Sequence, residues 1–288
     1  MEKKRFASVD EEREFVTAQR GKRQLRANEY IGEDGYAHCT VCGERTESIQ
    51  PWFGYGGLTY ALVCGDFCAC KRAEQEAAAK RREREKLEDR RNIAFGESYR
   101  WKKCCFDVDD GSNPALTACV KRFVERTVAY CNTPKDDRTD CRGLLLFGDT
   151  GRGKTFMTAA ACNALCESGF TPYMREVPTI VEDMRAYGDR VVLDGLCRHP
   201  VWFFDDFGAE RQTEWMQEKV YQLISTAVNR DIVLCVNTNL RREELIQPAS
   251  AQQRRIYSRL FEKCEMVHVQ LQKGDRRLLQ AAQWRDMV

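Results

Sequence analysis

The run Gly148, Asp149, Thr150, Gly151, Arg152, Gly153, Lys154, Thr155 has the residue types and spacing of a phosphate-cradling loop, Gly-x-x-x-x-Gly-Lys-Thr. Its three glycines let the backbone bend so that N–H groups converge on an anion, and a helix beginning at its end adds partial positive charge there. Lys154 is placed to reach β- and γ-phosphates, and the Thr155 hydroxyl to ligate Mg²⁺. A second set of residues fits the same chemistry. The apolar run His199 to Phe204 ends in Asp205 and Asp206. At the C-terminal end of a strand, Asp205 holds the Mg²⁺ shell and Asp206 orients an attacking water. Many ATPases carry glutamate at the second position, and aspartate is one methylene shorter.

Two further features complete that set. The strand Asp231 to Val236 ends in Asn237-Thr-Asn239, and an amide there can bind a γ-phosphate or position water. Asn239 is the first candidate and Asn237 the second; an ordinary turn asparagine is the plain alternative. A helix over 250–264 carries Arg255 and Arg259 one turn apart on a shared face. Such a pair suits insertion into a neighbouring copy's nucleotide site, although arginines on helices are ordinarily just solvated.

The cysteines suggest different chemistry. Cys39-Thr-Val-Cys42-Gly is a metal-knuckle pattern, and Cys64-Gly-Asp-Phe-Cys68-Ala-Cys70 follows it. Between them, Pro51 to Tyr60 reads as a hairpin with glycine turns that brings the thiols together as a tetrahedral zinc site. Cys39, Cys42, Cys68 and Cys70 are the favoured ligands, with Cys64 as the substitute and His38 as an outside candidate. A module this small buries too little apolar surface to stand alone, and structural zinc contributes about 10–16 kcal/mol of apparent binding energy.

These residues need scaffolding, and the chain supplies it. Gly143 to Phe147 reads as a buried parallel strand ahead of the loop, and Phe156 to Cys166 as an alanine-rich helix after it. A helix over 115–131, a strand at 172–176, a helix over 177–187, a helix over 211–230 and a fifth strand at 265–271 follow from apolar periodicity. Arg276 and Arg277 start a short terminal helix, and no room remains for a helical lid. Ahead of these, 11–26 has a weak helical face, and Lys71 to Arg91 is a charged helix with almost no apolar stripe. The resulting domains are a zinc module over 1–72, a charged helical linker over 73–95 and an α/β nucleotide-binding domain over 96–288.

Composition narrows the function classes. The 288 residues are 43% hydrophobic and 31% charged with net charge +2, so nucleic-acid binding must come from local patches such as Lys80, Arg81, Arg82 and Arg84. No window approaches 18 uncharged apolar residues, which argues against a membrane span, and the first residues do not read as a secretory signal. Fifteen cysteines, an odd count, beside a nucleotide motif point to a reducing cytoplasm, with some thiols on metal and the rest packing.

The strings GDTGRGKT, FFDDFGAER, VNTNL and RIYSRLFEKC, in this order and spacing over about 95–280, resemble the AAA+ ATPases of the DnaC/DnaI helicase-loader family, in the IstB-like ATP-binding group. The cysteine module with its charged helix is similar, more loosely, to the family's zinc-bearing N-terminal domain. The resemblance implies a three-layer α/β core with a five-stranded parallel sheet in order 5-1-4-3-2 and no lid. It implies Asn239 as the γ-phosphate sensor and Arg259, with Arg255, as a finger acting in trans; an aspartate at 206 is also seen in that family. It further implies ATP, Mg²⁺ and zinc as cofactors, single-stranded DNA and a hexameric replicative helicase as partners, and an ATP-dependent homo-oligomer. The competing readings are a transposition helper with the same core, and a nucleotide-gated DNA-binding adaptor that does not turn over.

Overall fold

The computed structural model describes residues 8–20, 24–53, 59–208 and 213–270. The chain divides into two compact units, 1–85 and 86–288. Residues 54–58 of the hairpin expected over 51–60, the 209–212 stretch and the terminal helix expected at Arg276 and Arg277 lie outside the described residues.

The first unit contains helix α1 (Val9–Arg20) and two antiparallel strand pairs. Strand β1 (Glu29–Ile31) pairs with β2 (Ala37–Cys39), and β3 (Glu47–Phe53) with β4 (Thr59–Gly65). Its apolar core is small: Val16, Tyr36 and Ala37 are buried, with Cys39 and Cys68 beside them. Polar bonds supplement it. The Tyr36 hydroxyl donates to Glu12 on α1, and the buried Glu47 carboxylate accepts the Ala37 N–H at 2.7 Å. The α1 helix stops at Arg20, short of the expected 26, and begins two residues earlier than expected.

Helix α2 (Ala69–Phe95) is longer than the expected charged helix and contributes to both units. Only Ala94 and Phe95 at its end are buried, which fits a helix whose stability comes from helix-forming residues and i,i+4 pairs rather than from an apolar face.

In the second unit a short helix, α3 (Tyr99–Lys102), precedes α4 (Pro114–Asn132). Proline starts α4 where its missing N–H costs nothing, and the Asn113 side chain caps the helix by accepting from the Leu116 N–H at 3.1 Å. The core is a parallel sheet of β5 (Gly143–Phe147), β6 (Tyr173–Glu176), β7 (Val201–Phe207), β8 (Val233–Thr238) and β9 (Cys264–His268). The spatial order is β6-β7-β8-β5-β9; numbered within the sheet and read from the other edge, this is 5-1-4-3-2. Both faces are covered, so the central strands β5, β7 and β8 are almost wholly buried, while the edge strands β6 and β9 carry Arg175, Glu176 and Glu265. Leu144 and Leu146 of β5 pack on one side with α4 and α5 (Lys154–Glu167). Leu145 and Phe147 pack on the other with α6 (Val177–Tyr187), α8 (Glu214–Asn229) and α10 (Ala251–Lys263). Three helices had no counterpart in the sequence reading: α3, α7 (Asp189–Leu196), which follows a break at Gly188 with φ +90°, and α9 (Arg242–Ile246). Strand β8 starts two residues later than expected. Asp231 has φ +54° and ends a turn, with its carboxylate bonded to Tyr130 and Lys263.

Candidate nucleotide site and cysteine cluster

The loop after β5 bends through glycines that no other residue can replace cheaply. Gly148 has φ +138°, and a Cβ there would lie 2.7 Å from the Val269 carbonyl oxygen of the segment after β9. Gly153, at φ +87°, precedes α5 and has no side chain to cap it, so the N–H groups of the first turn can face a ligand. They open on a cavity of about 730 Å³ lined by Thr150 to Phe156, Asp206 and Asn239, with Arg100, Trp101 and Cys104 on a further wall. An uncapped helix start in a cavity of this size, with Lys154, Thr155, Asp206 and Asn239 in its wall, fits a polyphosphate nucleotide.

The side chains expected there come together. Lys154, 6% exposed, donates to the carbonyls of Gly148 at 2.7 Å and Asp149 at 2.8 Å, and to Asn239 Oδ1 at 2.8 Å. The Thr155 hydroxyl donates to Asp205 Oδ1 at 3.1 Å. Asp205 and Asp206 sit at the end of β7, where the pairing with β8 shifts register between Phe204 and Phe207. The bulge re-aims the chain, and Asp206 takes φ +51°, a left-handed conformation that aspartate tolerates better than most residues. Asp205 therefore points into the sheet tip, while Asp206 lines the cavity and accepts from Asn239 Nδ2 at 3.5 Å. Burial pushes the Asp205 carboxyl above its ordinary range, and the Asp206 charge adds to this; hydrogen bonds from Asn237 and Thr155 oppose it.

The two asparagines separate. Asn237 is 1% exposed and does not reach the cavity; it donates to Asp205 Oδ1 at 2.7 Å and accepts from the Thr158 hydroxyl at 2.7 Å. Asn239 is past the strand end, exposed, and in the cavity wall. Arg152 also lines the cavity and reaches Asp149 at 3.3 Å.

No known family profile matches the chain. It is 32% identical over 119 residues to the replicative helicase loader DnaI of Bacillus subtilis, a match covering 40% of this chain and 37% of that protein. The chain thus aligns with little more than a third of that relative's length. A crystal structure of DnaI superposes with TM-score 0.50 at 22% identity, covering 63% of this chain and 95% of the other. A crystal structure of the DnaC helicase loader gives 0.49 at 22%, covering 60% and 100%. Over the matched stretch the chain is thus similar to a helicase loader, and it shares the fold of the DnaI structure.

In the second unit, Arg255 and Arg259 lie on α10, and neither lines the cavity of its own chain. Arg255 is exposed. Arg259 donates to Glu262 at 2.8 Å on the same helix, and its side chain is 39% exposed. Leu260 beside it is fully buried and Phe261 half-buried.

In the first unit, Cys39, Cys42, Cys68 and Cys70 place their sulfurs within 4.8 Å of one another. Cys39 and Cys70 are 3.6 Å apart, and Cys68 and Cys70 3.1 Å. A tetrahedron of Zn–S bonds of about 2.3 Å needs sulfurs about 3.8 Å apart, so the donor set fits zinc. The knuckle turn is formed by the Gly43 N–H donating to the Cys39 carbonyl at 2.9 Å, while the Val41 N–H reaches Cys39 Sγ at 3.4 Å. Hydrogen bonds from the backbone of Cys42 and Val41 pull the Cys39 thiol down to about 6, toward the thiolate a metal requires. Glu44, one residue past the knuckle glycine, bonds the Ala69 N–H and meets Arg72 at 3.0 Å, which fastens the start of α2, and with it Cys68 and Cys70, to the knuckle. Cys64 lies on β4 opposite Ser48 and outside the cluster. His38 is held by the Gly43 carbonyl and Asp34.

Sequence reasoning missed the wall made by Arg100, Trp101 and Cys104. It also missed Asn163, fully buried in α5, whose Nδ2 donates to the carbonyls of Trp101 at 2.8 Å and Cys104 at 2.7 Å. A lone amide inside an alanine-rich buried helix was the available signal, because a buried amide must find partners. Of the cysteines read as packing, Cys141, Cys162, Cys166, Cys235 and Cys264 are buried, whereas Cys104 faces the cavity.

Proposed function

We propose that the chain is an ATP-dependent helicase loader, a cytoplasmic DNA replication protein that binds ATP and single-stranded DNA and opens or delivers a hexameric replicative helicase. The observation carrying this reading is the bonding of loop and strand tips around one cavity, Lys154 to Asn239 and Thr155 to Asp205, in a domain similar to DnaI. The first-turn N–H groups of α5 and Lys154 would hold the phosphates, with Gly148 to Gly153 wrapped about them. Thr155 and Asp205 would hold Mg²⁺, which supplies charge neutralisation at the β- and γ-oxygens. Asp206 would orient water, and Asn239, bonded to both Lys154 and Asp206, would register the γ-phosphate. Arg259, with Arg255, would complete the site of a neighbouring copy in an ATP-dependent oligomer, since neither reaches its own. Residues 1–72 would be a zinc module carried on the charged helix, with Cys39, Cys42, Cys68 and Cys70 as ligands, and would dock the helicase.

The test uses the full chain. Wild type should bind ATP with Mg²⁺ and retain a hexameric helicase from its host in an ATP-dependent way, and Lys154→Ala should lose both. ATP affinity equal in wild type and Lys154→Ala would remove the nucleotide reading. ATP binding without retention of any hexameric helicase would remove the loader reading.

A further inference from the structure

We propose that Arg100 is a phosphate-binding residue of this nucleotide site, supplied in cis by α3 and directed at the γ end of a triphosphate. The inference rests on the nucleotide reading above and adds a cation that lies outside the loop and strand motifs.

Its placement is fixed by packing. Arg91, on the last turns of α2, donates from Nε to Asn163 Oδ1 at 2.9 Å. Arginine only donates, so the Asn163 amide must turn its Nδ2 toward the carbonyls of Trp101 and Cys104. Trp101 is 7% exposed and meets Phe95 edge to face at 6.4 Å. Helix α3 is thus tied to α5, the helix that starts with Lys154 and Thr155. Arg100 shares the cavity wall with Thr150, Lys154, Thr155, Asp206 and Asn239.

Its direction follows from charge. Glu176, at the end of β6, is in register with Asp205. Arg100 lines the cavity together with Asp206 and with Thr155, which bonds Asp205, and so lies where the Mg²⁺ ligands are expected. Among the described residues its guanidinium is in no ion pair, whereas Arg152 is held by Asp149. Three carboxylates, Glu176, Asp205 and Asp206, repel an incoming polyanion, and an exposed guanidinium with a planar fork is suited to offset them and to take two phosphate oxygens.

The experiment measures ATP and ADP binding, with Mg²⁺, to the full chain at concentrations where light scattering reports a monomer. Arg100→Ala should weaken ATP about 10- to 100-fold, as for one lost charged hydrogen bond, and ADP less than about 3-fold. Arg100→Lys should fall between, and the exposed site should leave the melting temperature unchanged. Unchanged ATP affinity in Arg100→Ala, or equal losses for ATP and ADP, would overturn the assignment. So would a defect confined to the oligomer, which would place the residue at a neighbour's site. Failure of wild type to bind either nucleotide would instead overturn the nucleotide reading itself.

Discussion

Asn237 and Asn239 are two residues apart, and the structure gives them opposite jobs, which makes Asn237→Ala a sharp perturbation. Asn237 is buried and is one of two side-chain donors to a carboxylate that is itself 3% exposed. Removing the amide deletes a charged hydrogen bond worth about 1.5–3 kcal/mol. Thr158 loses an acceptor but keeps the Lys154 carbonyl at 2.9 Å, so its hydroxyl adds little to the cost. The net loss is about 2–3 kcal/mol, which in a unit of about 200 residues lowers the melting temperature by about 4–12 °C. The lost bond favours ionised Asp205, so the deficit is largest where Asp205 is ionised and shrinks as pH falls into the raised range where it takes up a proton. Asn239→Ala, at an exposed position, should change stability by less than about 1 kcal/mol while impairing ATP turnover. Thermal unfolding of the full chain, followed by fluorescence of the buried Trp101 and Trp202, measures both. Equal melting of Asn237→Ala and wild type, or an Asn239→Ala loss as large as that of Asn237→Ala, would refute the division of labour.

The other sites yield independent expectations. Cys64→Ser should retain about one zinc per chain by elemental analysis and Cys68→Ser should lose it, because only Cys68 is in the four-sulfur cluster; zinc lost from both variants would contradict the geometry. Arg259→Ala should keep ATP binding and lose hydrolysis by about 10³–10⁵, and wild-type turnover per chain should rise with protein concentration; concentration-independent turnover would exclude a shared site. His199 donates from Nδ1 to the Thr171 carbonyl at 2.9 Å, and burial holds its pKa below the ordinary value. Its contribution is present above about pH 6.5 and lost as pH falls toward the depressed folded value. The stability advantage of wild type over His199→Asn should therefore narrow on acidification, and an advantage that widens would reverse the sign of that argument.

What the sequence showed and what it hid divide along a physical line. Gly148 to Thr155 and Asp205 were legible because phosphate and Mg²⁺ chemistry constrains residues close together in the chain, and a buried strand declares itself by unbroken apolarity. The four thiols were legible as a group for the same reason, since a metal ion demands several donors from a short stretch. The choice among Cys64, Cys68 and Cys70 was not, because it depends on where β4 stops. The strand ends at Gly65, so Cys64 is still held in the ladder and only the residues beyond it are free to turn toward the knuckle.

The asparagines pose the same problem at a different strand. Strand β8 runs to Thr238, later than apolarity alone suggested, because Asn237 is a strand residue whose polar group is satisfied inside the sheet tip by Asp205 and Thr158. A polar residue at a strand end therefore cannot be assigned to the cavity until its hydrogen bonds are accounted for. The Arg100 wall is harder still, because nothing within Tyr99 to Cys104 marks it. It exists because Asn163, some sixty residues further on, accepts from Arg91 and donates to two carbonyls of the α3 segment. Replacing Asn163 with leucine would leave those carbonyls unsatisfied and free the wall while keeping the apolar pattern of α5. The part of the site that local sequence does not encode thus depends on one amide.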